Sequence, residues 1–179
     1  SDDGMQHYRM GRDIEIAVLD GERRLGNALC LPAGPLRERA GRLQGVDFIV
    51  TNGRASGAEW SMRLQPGEVC SLAGEASRPL SLFTAQTVHA VAAIGNPGRF
   101  FNTLRAAGLS ITEHPFADHH PFAEGELEFD GDAPVMMTEK DAVKYIPFAT
   151  ARHWYLPVSA VLDDDFSRQL LERLEKLRG

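Results

Sequence analysis

Several features are scarce in this chain, and each scarcity excludes something. Only two of its 179 residues are cysteine, Cys30 and Cys70. That is too few for a disulfide framework and the wrong spacing for a cysteine-rich metal site, which points to a reducing, cytosolic setting. No apolar run approaches the roughly 20 residues needed to span a bilayer, and no signal peptide is visible. Basic charge is not in excess: 19 Lys and Arg stand against 25 Asp and Glu, a formal net charge of -6. This argues against a nucleic-acid partner, because phosphate backbones want a basic face. The phosphate-cradling pattern G-x-x-x-x-G-K-[ST] occurs nowhere, and there are no internal repeats or low-complexity stretches. What is left is an ordinary globular balance, 43% hydrophobic, 25% charged and 8% aromatic. The length suits one domain, or one domain plus part of another.

The pattern along the chain predicts alternating strands and helices. Residues 13–20 read as a β-branched, apolar strand ending in acid, and 46–51 as a second strand. Between them lies a Gly-rich segment in which Pro35 suits the first position of a short helix. Residues 59–72 read as a hairpin turning at Gln65-Pro66-Gly67. The run 87–94 is almost continuously apolar, as in a strand covered on both faces. Asn96 and Pro97 then suit an N-cap and first helical turn, and Gly108 a stop. Strands follow at 109–114, 134–137 and 153–158. A helix begins at Thr138 with Asp141 three places on, which is capping-box spacing. The last helix starts among Asp163, Asp164 and Asp165, with Phe166, Leu170, Leu171, Leu174 and Leu177 as its apolar face. This order implies an α/β fold with a mostly parallel sheet flanked by helices. Ligands then sit at the carboxyl ends of the strands.

Two stretches concentrate chemistry. The first is Asp2-Asp3-Gly4 with Gln6, His7, Tyr8 and Arg9. Adjacent carboxylates suit Mg²⁺ beside a phosphate, Gly4 permits a sharp turn, and Gln6, His7 and Arg9 are donors for a phosphorylated ligand. No strand precedes the acids, so the sequence reads as the back half of a larger protein. The second stretch is Asp118-His119-His120 between Phe116 and Phe122. It suits general acid–base work, with Asp118 orienting a histidine, or Zn²⁺ or Mn²⁺ ligation, or simply a polar loop packed by its aromatics. Lys140 stands where a helix start could meet a phosphate, although capping alone accounts for Thr138 and Asp141. Read from the residues, a metal-dependent hydrolase uniting Asp2, Asp3 and His7 with Asp118, His119 and His120, and a non-catalytic binding module, both stay open.

The motifs taken together carry a resemblance. Asp2-Asp3-Gly4-Met5-Gln6-His7-Tyr8 with Arg12-Asp13-Ile14-Glu15-Ile16 is followed by Leu31-Pro32-Ala33-Gly34-Pro35-Leu36-Arg37-Glu38. Then come Ala93-Ile94-Gly95-Asn96-Pro97 with Arg99-Phe100-Phe101, next Asp118-His119-His120, and last Met137-Thr138-Glu139-Lys140-Asp141-Ala142-Val143-Lys144. In this order they resemble the C-terminal half of the tetraacyldisaccharide 4'-kinases of lipid A biosynthesis. The resemblance departs at Arg39, where the family usually has proline. It implies a three-layer α/β/α fold related to P-loop kinases, with residues 1–45 a remnant of the P-loop domain and 46–179 the C-terminal domain. It implies transfer of the γ-phosphate of ATP to the 4'-hydroxyl of tetraacyldisaccharide 1-phosphate, with Mg²⁺ held by Asp2 and Asp3. His119, with His120 second and Asp118 beside them, is expected to assist the catalytic aspartate, which the family carries in its other half with the P-loop. Gln6, His7, Arg9, Arg37 and Lys140 are expected to line the nucleotide or sugar-phosphate site. The implied location is peripheral, on the cytoplasmic face of the inner membrane. Without the P-loop half as partner, this chain alone is expected not to be a competent kinase.

Overall fold

The computed structural model describes residues 4–178. The chain divides into two compact units, one of residues 1–64 with 160–179 and one of residues 65–159.

In the first unit, β1 (Ile16–Asp20), β2 (Phe48–Asn52), β3 (Trp60–Pro66) and β10 (Val158–Leu162) form a sheet in the order β1-β2-β3-β10. β1, β2 and β3 are parallel, with Val18 opposite Val50 and Val50 opposite Trp60. α3 (Asp164–Arg178) packs through Phe166, whose ring meets Phe48 and Trp60 edge-on at 5.4 and 5.7 Å. Of the apolar face expected for this helix, only Phe166 is buried. Leu171, Leu174 and Leu177 are exposed. Phe166 near the helix start is its buried anchor, Arg173 adds a bond to Asp47 at 2.8 Å, and the later turns carry leucines that face solvent.

The second unit holds a six-stranded sheet in the order β5-β4-β9-β8-β6-β7, made of β4 (Val69–Ser71), β5 (Ser77–Arg78), β6 (Thr87–Ala92), β7 (Ser110–Pro115), β8 (Val135–Thr138) and β9 (His153–Leu156). β7, β6, β8 and β9 run parallel, while β4 is antiparallel to β9 and β5 to β4. The expected mostly parallel α/β architecture is observed. α1 (Pro97–Ala106) links β6 to β7, and α2 (Glu139–Tyr145) follows β8. One apolar cluster gathers Val88, Ala90 and Met136 with Phe100, Phe101 and Leu104 of α1. A second gathers Val91, Val135 and Met137 with Phe122, Leu127, Ala142 and Tyr145. Alternate residues of β6 and β8 thus serve opposite faces, which is why their sequences read as unbroken apolar runs.

Four local expectations need correction. Residues 59–72 do not form a hairpin, because β3 and β4 pair in different sheets. The Gln65-Pro66-Gly67 bend carries the chain from one to the other, with the Gly67 N–H donating to the Pro157 carbonyl. The strand expected over 153–158 ends at Leu156. Pro157 offers no N–H to extend the ladder, and β10 starts a separate strand. No helix begins at Pro35. The Leu36 N–H is used by the Leu29 carbonyl and the Leu31 N–H by the Leu36 carbonyl, which closes a tight non-helical loop. Gly34 is required there, since a Cβ would stand 2.1 Å from Asn27 Oδ1. Asn96 occupies the N-cap position of α1, but its side chain makes no capping bond.

Candidate functional site

The parallel strands of the second unit place three loops at their carboxyl ends: 93–96 after β6, 116–122 after β7 and the start of α2 after β8. The middle loop hangs on β6. The Phe116 N–H donates to the Ala92 carbonyl at 2.9 Å and the His119 N–H to the Ala93 carbonyl at 3.1 Å. His119 has φ of 61°, the left-handed conformation that side-chain-bearing residues seldom adopt. Its imidazole projects outward, 78% exposed, with Nε2 3.9 Å from Asp118 Oδ1.

His120 is treated differently. Its Nε2 meets Glu126 Oε1 at 2.8 Å, and the other oxygen of Glu126 accepts the Ala123 N–H at 2.9 Å. The ring lies 4.9 Å from Phe116 and 5.1 Å from Phe122. The Ala123 N–H, then the His120 imidazole, hold the Glu126 carboxyl below its ordinary range. His120 is therefore fastened within the loop, and His119 is the histidine free to meet a ligand. Glu126 was not legible as a site residue. Nothing about its position in sequence, six residues beyond His120, announces the contact.

Behind the loop stands Asp141, fully buried. Its Oδ2 accepts from the Ala93 N–H at 2.9 Å and from the Thr138 hydroxyl at 2.7 Å, and its Oδ1 from Lys144 Nζ at 3.0 Å. Thr138 in turn caps α2 by accepting from the Asp141 N–H. The N-cap bond to Thr138 is present, but the Asp141 carboxylate turns to the Thr138 hydroxyl and across to β6, where the capping-box spacing would have it accept from the Thr138 N–H. Lys140 is exposed on the first turn of α2.

The first unit carries the other candidates. Gln6, His7 and Arg9 are exposed on a run of turns over residues 5–10, where the His7 N–H donates to the Gly4 carbonyl and Met10 N–H to the His7 carbonyl. Arg12 organises this run by donating to the Met5, His7 and Met10 carbonyls, and it pairs with Glu15. Glu15 also accepts two bonds from Arg42, at 2.6 and 2.7 Å. The Arg42 guanidinium first, and Arg12 after it, hold the Glu15 carboxyl low. Arg37 is exposed on the segment after the Leu29–Leu36 loop. Asp2 and Asp3 lie outside the described residues. Among the described residues, no three His, Cys, Asp or Glu side chains gather as a metal-binding group.

Comparison with known proteins adds a decisive observation. Residues 1–175 match the model of the family described as LpxK, tetraacyldisaccharide-1-P 4'-kinase. The chain belongs to this family. It is 51% identical over 176 residues to the tetraacyldisaccharide 4'-kinase of Nitrosococcus oceani, covering 98% of this chain and 52% of that protein. It is 55% identical over 161 residues to that of Alkalilimnicola ehrlichii, covering 89% and 49%. The chain thus spans about half the length of the curated relatives it matches. A crystal structure of LpxK from Aquifex aeolicus in complex with ATP superposes with a TM-score of 0.74 at 21% identity, over 98% of this chain and 56% of that one. At that identity the likeness shows the fold alone, strands and flanking helices in a mostly parallel α/β arrangement. Among the described residues, no helix of this LpxK-family chain is long and apolar enough to cross a membrane.

Proposed function

We propose that this chain is part of an ATP-dependent kinase that phosphorylates the 4'-hydroxyl of tetraacyldisaccharide 1-phosphate in lipid A biosynthesis. The observation that carries this reading is the family match over residues 1–175, supported by relatives of that name near 50% identity. In the reaction the hydroxyl oxygen attacks the γ-phosphorus, the bond to the β-bridging oxygen breaks, ADP leaves, and the hydroxyl proton passes to a base. Such transfers depend on positioning and electrostatic stabilisation. His119 fits a proton-handling or base-assisting role because its ring is exposed at a strand-end loop with Asp118 beside it. His120, fastened to Glu126, fits a supporting role.

Asp2 and Asp3 are assigned to Mg²⁺, since adjacent carboxylates are the hard oxygen donors this ion takes. When bound, the ion would neutralise phosphate charge. Gln6, His7, Arg9, Arg37 and Lys140 are assigned to the nucleotide or the sugar phosphate. Residues 1–45 are assigned to the nucleotide-binding domain and 46–179 to the C-terminal domain. A lipid substrate fits a peripheral location at the cytoplasmic face of the inner membrane. No G-x-x-x-x-G-K-[ST] sequence occurs in the 179 residues, so the phosphate cradle is assigned to a separate segment and the chain by itself to an inactive state.

The test is an assay with ATP, Mg²⁺ and tetraacyldisaccharide 1-phosphate on this chain, alone and mixed with the N-terminal half of a relative. Activity on mixing, abolished by His119→Ala, is the expected result. No phosphorylated product under any combination, with both halves folded, would refute the kinase reading.

A further inference from the structure

We infer that Asp141 is a positioning residue for His119, acting through the backbone of Ala93; this rests on the kinase role proposed for His119. Asp141 lies on α2 and His119 beyond β7. Ala93, immediately after β6, joins them. Its N–H donates to Asp141 Oδ2 at 2.9 Å and its carbonyl accepts the His119 N–H at 3.1 Å. Ala93 is 1% exposed, so water cannot stand in for either partner without opening the sheet edge. An orphaned Ala93 N–H would carry the desolvation penalty of an unmade buried bond.

Helix capping alone does not account for the arrangement. A cap needs the Thr138 oxygen and the Asp141 N–H, and both are satisfied without the Asp141 carboxylate reaching β6. The carboxylate spends one oxygen on Lys144 and turns the other to Ala93 and Thr138. Residues of α2, β6 and the loop after β7 are thereby tied in series. The last member is a histidine held in a conformation that its own backbone disfavours, and an outside restraint explains how it stays there. Losing that restraint releases His119 while leaving its imidazole chemically intact.

The experiment uses the full chain, isotopically labelled, for NMR, and the reconstituted kinase for rates. In the unsubstituted chain a through-hydrogen-bond coupling between the His119 nitrogen and the Ala93 carbonyl carbon is expected; its absence overturns the inference whether or not any variant folds. Asp141→Ala should speed exchange of the His119 and Phe116 amides on the order of ten-fold relative to the core amides of β6. The His120 amide, which donates within its loop to the Ala117 carbonyl, should not follow. Asp141→Asn keeps an acceptor for Ala93 and should restore His119 protection, and Lys144→Met should leave it unchanged.

In the kinase assay Asp141→Ala should lower kcat roughly 10- to 100-fold at little cost in KM for ATP, as expected for misplacement of a reacting group. Equal acceleration at every amide, or a loss of kcat that Asp141→Asn does not mend, would reduce Asp141 to a stability residue and overturn the inference. Full activity of His119→Ala would refute the role given to His119; the exchange data would still decide what holds its backbone.

Discussion

The two units are held together by different physics. Nearly all of the buried apolar side chains among the described residues lie in 65–159, where both faces of the parallel strands are covered. The first unit buries Ala17, Val50 and Phe166 and ties its turns with guanidinium–carboxylate contacts instead. Arg12 and Arg42 meet on Glu15, and Arg24 grips Glu59 with two nitrogens at 2.8 and 2.6 Å. The difference bears on the candidate residues. His119 is presented from a dry, close-packed platform, which resists displacement. Gln6, His7 and Arg9 stand on exposed turns held by backbone hydrogen bonds and by Arg12, itself paired with Glu15, and such solvent-facing charge contacts yield to salt and pH.

The contrast is tested most severely by making the same substitution in each unit. Leu104, fully buried under β6, should cost about 2–5 kcal/mol as Leu104→Ala. Leu174, 43% exposed on α3, should cost within about 0.5 kcal/mol as Leu174→Ala. Urea unfolding followed by tryptophan fluorescence measures both. Equal losses would mean that the far end of α3 is covered in solution, and the comparison would fall.

Acid titration should separate the units next. Burial lowers the pKa of His89, His114 and His153 in the second unit. Their neutral forms belong to the fold, so their contribution is whole above the ordinary value of 6.5 and is lost as pH falls through the depressed values. In the first unit the bonds from Arg24 chiefly, then from Thr51 and the Ser56 N–H, lower Glu59 from 4.5 to about 2. Its contribution should persist above pH 4.5 and disappear between there and about 2. Amide signals of β6 and β7 should therefore respond to acid before those around Ser56, and Glu59→Gln should flatten only the later step. A single transition shared by all signals would show that the units unfold together.

The smallest effect should come from the exposed pair between Arg173 and Asp47. Arg173→Ala is expected to change stability by no more than about 0.5 kcal/mol and to do so only at low salt, as surface ion pairs behave. Thermal melts at two ionic strengths would measure it.

How far the sequence was legible follows the same division. β6 and β8 were readable because both faces are buried and the apolar runs are nearly unbroken. Thr138 with Asp141 was readable because a cap is a local pattern. The hairpin was misread because turn residues such as Gln65-Pro66-Gly67 specify a bend but not which strand is waiting beyond it. The His120 contact to Glu126, the reach of Arg12 back to Met5 and His7, and the bond from the Ala93 N–H to Asp141 were missed for one reason: each joins residues whose separation in sequence carries no periodic signal. In the final helix, the leucine pattern was read correctly as an apolar stripe, yet a stripe does not say how much of itself will be covered.

His119 pays a conformational toll of about 1–2 kcal/mol typical of a left-handed residue with a Cβ. A screen of substitutions at this position scored for solubility or melting temperature should therefore enrich glycine and asparagine, whereas, on the role proposed for His119, one scored for phosphorylated product in the reconstituted kinase should return histidine. Two selections on one codon would pull apart, and the gap between them would measure how much stability the chain forgoes to keep an imidazole at that turn.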